Sequence, residues 1–303
     1  MLIGVYLIEN KINSLITNRI SLKNLKAFSF IIGLNPSKGA RSPILWNKVY
    51  EAQGKRVRML PLDVEETNLE ELIMVLQKEP SCFGGAVAVP YKEKIFTTLS
   101  DNCTETIRQI GAINCILRRN PNDKVLSCTN TDGEGALEPI AKKLDGETEL
   151  KIALIGYGGA GKSIFAFLQQ YSNRHQIFLF NRTLPERKFL DNLKINTIEL
   201  EKLPTNIEKL DILINATSVG SQSNLGERLI EREHLCKLKS SALVYDIIYD
   251  PPETTLLKDA KELGLDTMNG LDMNLLQAVL AFKHVNHTTL SLNEVKTIMR
   301  SSD

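Results

Sequence analysis

The 303-residue sequence predicts an α/β protein of two domains, on three observations. Short apolar stretches of strand character alternate with segments whose apolar residues recur at helical spacing, a pattern that builds a mostly parallel sheet covered on both faces. Residues 151–163, KIALIGYGGAGKS, run an apolar strand into a glycine-rich turn that opens a helix. The length and an apolar content of 43% suffice for two cores of ordinary size.

Taken in order, residues 1–26 read as a polar extension, and residues 27–33 (AFSFIIG) as the first strand, followed by a loop and a helix over 44–51. A second strand over 57–62 leads to a helix over 69–77, in which Leu69, Leu72, Ile73 and Leu76 share one face. A third strand over 86–89 stops at Pro90, which has no N–H for the ladder, and a helix begins about Glu93. Strands over 110–117 and 125–129 precede NTDGEGA (130–136), which opens another helix. The polar run 146–149 marks the start of the second unit. There strand 151–155, the glycine turn, a helix over 161–170 and strand 176–181 complete a βαβ unit of about 30 residues. Further strands are expected over 211–215, 242–246 and near Thr267, and a final helix over 273–284 with Asp272 as N-cap.

The charge is nearly balanced, 37 basic against 36 acidic side chains, which leaves no global field to draw the chain to nucleic acid or an anionic membrane. A small molecule is the expected partner, with a homodimer as the candidate assembly. The apolar N-terminal start is interrupted by Glu9, Asn10 and Lys11 and lacks a basic leader, so no signal peptide is expected. No apolar run of about 18 residues predicts a membrane span. A cytoplasmic protein follows from these readings. The five cysteines, Cys82, Cys103, Cys115, Cys128 and Cys236, are odd in number and lack C-x-x-C spacing, which argues against a disulfide framework and a zinc ribbon and fits a reducing compartment. None of the four histidines lies in the first 174 residues. Acid–base chemistry in the N-terminal half therefore falls to a carboxylate, lysine, tyrosine or cysteine. His284 and His287 read as surface residues, and no metal site is expected.

The glycine-rich turn is a phosphate cradle, because its backbone N–H groups point outward at a helix N-terminus. It satisfies two patterns at once. Gly156, Gly158 and Gly161 spell the dinucleotide fingerprint G-x-G-x-x-G, and residues 156–163 also spell the triphosphate loop G-x-x-x-x-G-K-S. The strand after the helix separates them. It ends in Asn181, Arg182 and Thr183, with no carboxylate to bond the ribose 2′-OH of NAD and an arginine, 26 residues after Gly156, suited to the 2′-phosphate of NADP. Arg187 and Lys188 are candidate helpers. A triphosphate loop would instead need Ser163 on magnesium, with an aspartate such as Asp246 opposite.

From about Phe28 to Phe282 the chain resembles the shikimate/quinate dehydrogenase family. The resemblance is carried by S-P-x-x-x-N (Ser42, Pro43, Asn47), V-x-V-P-Y-K (87–92), GAIN (111–114), NTDG (130–133), GYGGAG, FNRT, NATSVG (215–220), D-x-x-Y-x-P-x-x-T (246–254) and NGLDMNLLQ (269–277). It implies an N-terminal parallel or mixed α/β substrate domain, residues 1–133 plus 272–303, and an NADP-binding Rossmann domain, residues 134–271, with a cleft between. It implies Lys92 and Asp132 as the catalytic pair, and Ser42, Asn114, Tyr249 and Gln277 as substrate-binding residues. It also implies cofactor contacts from Gly156, Gly158, Gly159, Ala160, Gly161, Asn181, Arg182, Thr183, Thr217 and Gly270. A lysine beside a carboxylate is chemically apt, since hydride reaching a carbonyl carbon leaves the oxygen in need of a proton.

Three departures fall in the implied substrate pocket. S-x-S-P stands here as Ala40-Arg41-Ser42-Pro43, N-V-T as Ala86-Val87-Ala88, and Trp46 occupies a position where histidine is common. Together they remove small polar donors, each worth about 1.5–3 kcal/mol to a charged ligand. The expected substrate is thus a hydroxylated cyclic ketone or alcohol without the usual carboxylate, unless Arg41 captures an anion from a new direction. The alternatives are a true shikimate 5-dehydrogenase, a non-catalytic NADP-binding sensor and the NTPase.

Overall fold

The protein is described from a computed structural model that covers residues 2–118, 120, 123, 125–183 and 195–301, with the side chains of residues 2–5 left aside. The chain divides into two compact units, one running to Thr131 and resuming at Leu275, the other spanning Asp132–Asn274. The first contains helix α1 (Leu2–Asn13), β1 (Ala27–Gly33), α2 (Ser42–Ala52), β2 (Val57–Asp63), α3 (Leu69–Lys78), β3 (Cys82–Val87), α4 (Lys92–Leu99), α5 (Glu105–Ile110), β4 (Cys115–Leu117) and β5 (Ser127–Thr129). The second contains α6 (Asp132–Leu137), α7 (Ala141–Leu144), β6 (Lys151–Ile155), α8 (Gly159–Leu168), β7 (Gln176–Asn181), β8 (Ile195–Glu199), α9 (Leu203–Asn206), β9 (Ile212–Asn215), α10 (Arg232–Leu235), β10 (Leu243–Asp246), α11 (Thr255–Glu262) and β11 (Asp266–Met268). Helix α12 (Leu271–Asn286) returns the chain to the first unit, where α13 (Leu292–Arg300) ends it.

The first sheet has the order β2-β1-β3-β4-β5, parallel through β2, β1 and β3 and antiparallel at β4 and β5. β1 lies inside this sheet and every residue of it is buried, as expected of a strand covered on both faces. The second sheet, β11-β10-β9-β6-β7-β8, is parallel throughout and has the strand order of a Rossmann domain, with its switch point between β6 and β9.

β1, β6 and β7 lie where the sequence predicts them, and several other elements do not. Residues 2–13, expected within a polar extension, form α1, whose Ile12 is buried. The strand expected over 86–89 runs from Cys82 to Val87. Its glycines look like a loop in sequence, yet a Cβ at Gly85 would fall 1.9 Å from the Phe30 carbonyl oxygen, so glycine is what lets β3 approach β1. The strand expected over 110–117 shortens to β4. Residues before it form α5, capped by the Thr104 hydroxyl accepting from the Ile107 N–H and stopped at Gly111 in the left-handed conformation. β8 is an element the sequence does not announce. Asp272 is not an N-cap but sits in the first turn of α12, where the Gly270 carbonyl accepts from the Asn274 N–H, and α12 is followed by α13.

The cysteine expectation is also corrected. Cys103 and Cys128, 25 residues apart in sequence, form a disulfide with their Cα atoms 5.6 Å apart. A local spacing rule cannot register a pair that only tertiary structure brings together. No helix among the described residues is long and apolar enough to cross a membrane.

Candidate active site

In the first unit the candidate residues gather at the end of β3. The Val87 N–H donates to the Asn114 carbonyl at 2.8 Å, and the Ile113 N–H donates to the Lys92 carbonyl at 2.8 Å. Two short bonds thus join the strand end, the first residue of α4 and the 111–114 segment. Lys92 is half-buried, and Tyr91 before it is anchored by its hydroxyl donating to the Val64 carbonyl at 2.7 Å. The Asn114 side chain is oriented from within the unit: its Nδ2 donates to Thr131 Oγ1 at 2.9 Å and to Gln277 Oε1 at 3.4 Å, and its Oδ1 accepts from the Thr131 N–H at 2.8 Å. Thr131 Oγ1 in turn donates to the Gln277 carbonyl at 3.0 Å. Lys92, Asn114 and Gln277 are therefore brought into one hydrogen-bonded neighbourhood.

Thr131, which ties this group together, is missed as a site residue. Its signal in the sequence is only its place between Asn130 and Asp132 in NTDG. Ser42 is the buried first residue of α2, one helical turn before Trp46 and on the same face. Trp46 is fully buried, its indole N–H donating to the Ala278 carbonyl at 3.1 Å and its ring edge-on to Phe282 with centroids 5.3 Å apart. Ala86 belongs to the same apolar cluster, and Ala40 and Ala88 pack against it. The positions where polar donors are expected thus continue the core.

In the second unit the cradle is set by steric limits on β6 and α8. Gly156 adopts φ +98°, open to glycine, and donates its N–H to the Phe180 carbonyl at 2.8 Å. A Cβ at Gly161 would fall 2.3 Å from the Gly156 carbonyl oxygen, whereas one at Gly158 would meet nothing within 4 Å. The first and third glycines thus serve packing, and the space at the second leaves room for a ligand against the backbone. Gly159 and Ala160 form the opening of α8, whose N-terminus attracts phosphate. Asn181 Oδ1 accepts from the Tyr157 N–H at 3.2 Å and its Nδ2 donates to the Thr183 carbonyl at 2.7 Å, which ties the end of β7 to the turn after β6. Arg182 and Thr183 are exposed beside it, and Arg187 and Lys188 lie outside the described residues. This donor set fits a dinucleotide carrying a 2′-phosphate.

Across the switch point, Thr217 donates its hydroxyl and its N–H to Asn215 Oδ1 at 2.7 and 3.0 Å. Asn215 Nδ2 donates to Asp246 Oδ1 at 3.1 Å, and Asp246 also accepts from Thr254 Oγ1 at 2.7 Å and from the Ile248 N–H at 3.1 Å. Asp246 is fully buried, and burial raises its pKa against the opposing pull of these donors. Gly270 is held by its N–H to the Ile248 carbonyl, and a Cβ there would lie 1.8 Å from the Ile247 carbonyl oxygen. Asp132, buried, opens α6, and the next residue donates its N–H to Ser163 Oγ at 2.8 Å. Tyr249 is half-buried after β10.

The triphosphate-loop alternative does not survive this geometry. It needs the Ser163 hydroxyl on a metal, yet Ser163 is fully buried and accepts from Gly133, while Asp246 is committed to a network around the β9 and β10 ends. Lys162 stands over the Tyr157 ring, 5.8 Å from its centroid.

Residues 31–116 match the family described as the shikimate dehydrogenase substrate binding domain, and residues 139–255 match shikimate/quinate 5-dehydrogenase. Among curated proteins, an NADP(+) shikimate dehydrogenase of Bacillus mycoides is 33% identical over 91% of this chain and 98% of its own length. That of Bacillus subtilis is 32% identical over 86% and 91%. Among solved structures, a shikimate dehydrogenase in complex with NADP+ superposes with a TM-score of 0.75 at 27% identity, covering 90% of this chain and 94% of that one. The Listeria monocytogenes shikimate 5-dehydrogenase in complex with shikimate and NAD gives 0.72 at 26%, covering 94% and 99%.

Proposed function

The chain belongs to the shikimate/quinate dehydrogenase family, and from that premise we propose an NADP-dependent oxidoreductase that interconverts a ring ketone and its alcohol on a substrate other than shikimate. NADP(H) supplies or accepts the hydride at the ring carbon. Lys92 Nζ gives the carbonyl oxygen its proton in reduction and takes it back in oxidation, with Asp132 holding the ammonium in register. Ser42, Asn114, Tyr249 and Gln277 bind substrate hydroxyls. Residues 1–133 plus 272–303 form the substrate domain in this proposal, and residues 134–271 the NADP domain. Arg182 selects NADP over NAD by pairing with the 2′-phosphate.

One observation carries the substrate choice: Ala86 belongs to the cluster around Trp46 and Ala40 and Ala88 pack against it, and the only side-chain N–H of Trp46 is already engaged by Ala278. A carboxylate brought against that wall would lose water without gaining donors. An uncharged hydroxylated ring keeps its bonds to Asn114 and Gln277 and gains apolar contact. A true shikimate 5-dehydrogenase, converting 3-dehydroshikimate and NADPH to shikimate and NADP, is the second reading, favoured by the names of the relatives. The test is NADP-linked oxidation of shikimate, quinate and uncharged cyclitols, with NAD in parallel. Turnover of a cyclitol at least about tenfold above shikimate is expected for loss of one charge-assisted bond. Shikimate as the preferred substrate would overturn the proposal, and saturable NADP binding with no turnover across the panel would favour a sensor.

A further inference from the structure

The disulfide stands at the root of two of the segments that carry the proposed chemistry, those of Asn114 and Asp132. Cys128 is the middle residue of β5, the three-residue edge strand of the first sheet, paired with β4. Two residues on, Asn130 Nδ2 donates to the Ala112 carbonyl at 3.0 Å and Thr131 bonds Asn114, and Asp132 follows. Cys103 lies just before α5, which leads through Gly111 to the same Ala112 and Asn114. The cross-link therefore closes a ring that carries Asn114 within it and runs out into Asn130, Thr131 and Asp132. Besides the three-residue ladder, Ser127 Oγ donating to the Asn102 carbonyl at 3.4 Å is a long and weak tie between β5 and the Cys103 segment.

Both cysteines are buried, 5% and 3% exposed. A cavity of about 420 Å³, lined by Asp101, Asn102, Cys103, Val125 and Ser127 among others, nevertheless borders Cys103. Cys82 and Cys115 are buried and lie outside the disulfide, and burial pushes the Cys82 thiol up to about 12, far from a reactive thiolate.

We propose that Cys103–Cys128 is a thiol–disulfide exchange site, with a dithiol as co-reactant, and that its oxidation state sets how firmly the 130–132 turn is held. One thiolate of the dithiol attacks the Cys103 sulfur, the Cys103–Cys128 bond breaks, and Cys128 leaves as a thiolate and takes a proton. The second thiolate of the reductant then attacks the mixed disulfide, so Cys103 is released and protonated and the reductant carries away the new disulfide. Two electrons and two protons pass to the protein. Its kinetic consequence rests on Asp132 and Asn114 acting as proposed above; its structural consequence does not.

The experiment uses the full chain purified without reductant. Alkylation in denaturant should label three cysteines, Cys82, Cys115 and Cys236, and all five after dithiol treatment. On reduction, amide exchange over residues 127–132 should rise by on the order of 10²-fold, the scale of a loop cross-link of this length. Turnover should fall by about tenfold, because misplacement of about 1 Å at a reacting group is costly, while NADP affinity stays unchanged. Cys103→Ser/Cys128→Ser should sit at the reduced values in either redox state. Five labelled cysteines in the oxidised chain, or identical exchange over 127–132 before and after reduction, would overturn the proposal. Exchange needs no substrate, so it fails or holds independently of the substrate panel.

Discussion

The two units build their candidate sites by different means. In the second unit the work falls to the backbone: Gly156 is in a conformation that side chains avoid, and a Cβ at Gly161 or Gly270 would fall within 2.3 or 1.8 Å of a carbonyl oxygen. In the first it falls to side chains at strand and helix ends, and Ala40, Ala86 and Ala88 sit there without disturbing β1, β3 or α2. Backbone-built sites resist change because any added carbon breaks the packing that shapes them. Side-chain-built sites can change one residue at a time. The proposed NADP site should thereby tolerate less substitution than the proposed substrate site.

The largest expected effect separates the two units kinetically. Lys92→Ala should lower turnover by about 10²–10⁴-fold, the usual contribution of a general acid or base, while the NADP dissociation constant measured by fluorescence titration stays put. A rate close to wild type would remove the lysine from the mechanism. Gly161→Ala should do the reverse. Its Cβ must displace the Gly156 carbonyl, an overpacking of about 1–3 kcal/mol or more, so NADP affinity should fall by up to about 10²-fold with the first unit still folded. Wild-type NADP affinity in this variant would mean the glycine turn is not the cradle.

How far each unit is legible in the sequence follows from the same contrast. β6, the turn and β7 stand out because glycine spacing and apolar runs are local signals, and Arg182 lies at the strand end where they put it. Glycines mislead when their reason is tertiary: Gly84 and Gly85 read as loop and belong to β3, the first packed close against β4 and the second against β1. The bonds among Asn114, Thr131 and Gln277 span 17 to 163 residues of sequence, and motif order suggests their meeting without revealing that Thr131 joins them. The Cys103–Cys128 bond leaves no trace in spacing at all. Distance along the chain, rather than chemical rarity, limits what can be read.

A smaller effect tests whether the alanines choose the substrate. Ala40→Ser, Ala86→Asn and Ala88→Thr together should raise kcat/KM for shikimate by about tenfold per charge-assisted bond regained. Thermal stability should fall, since an asparagine is then placed in the Trp46 cluster. A folded triple variant with no gain would move the specificity determinant elsewhere, with Trp46→His the next substitution to add.

The smallest effect concerns the buried carboxylate at the end of β10. Burial raises the pKa of Asp246 above its ordinary 3.8. A carboxyl with a raised folded-state pKa favours folding in its protonated form, so its stabilising contribution is complete below the unfolded value and is lost as pH rises through the folded value. Asp246→Asn removes that titration and keeps one acceptor oxygen for the Asn215, Ile248 and Thr254 donors. Urea midpoints taken between about pH 4 and pH 8 should therefore fall less with rising pH in the variant than in the wild type. Parallel curves would mean that the three donors offset the burial, leaving Asp246 ionised throughout at no cost to the fold.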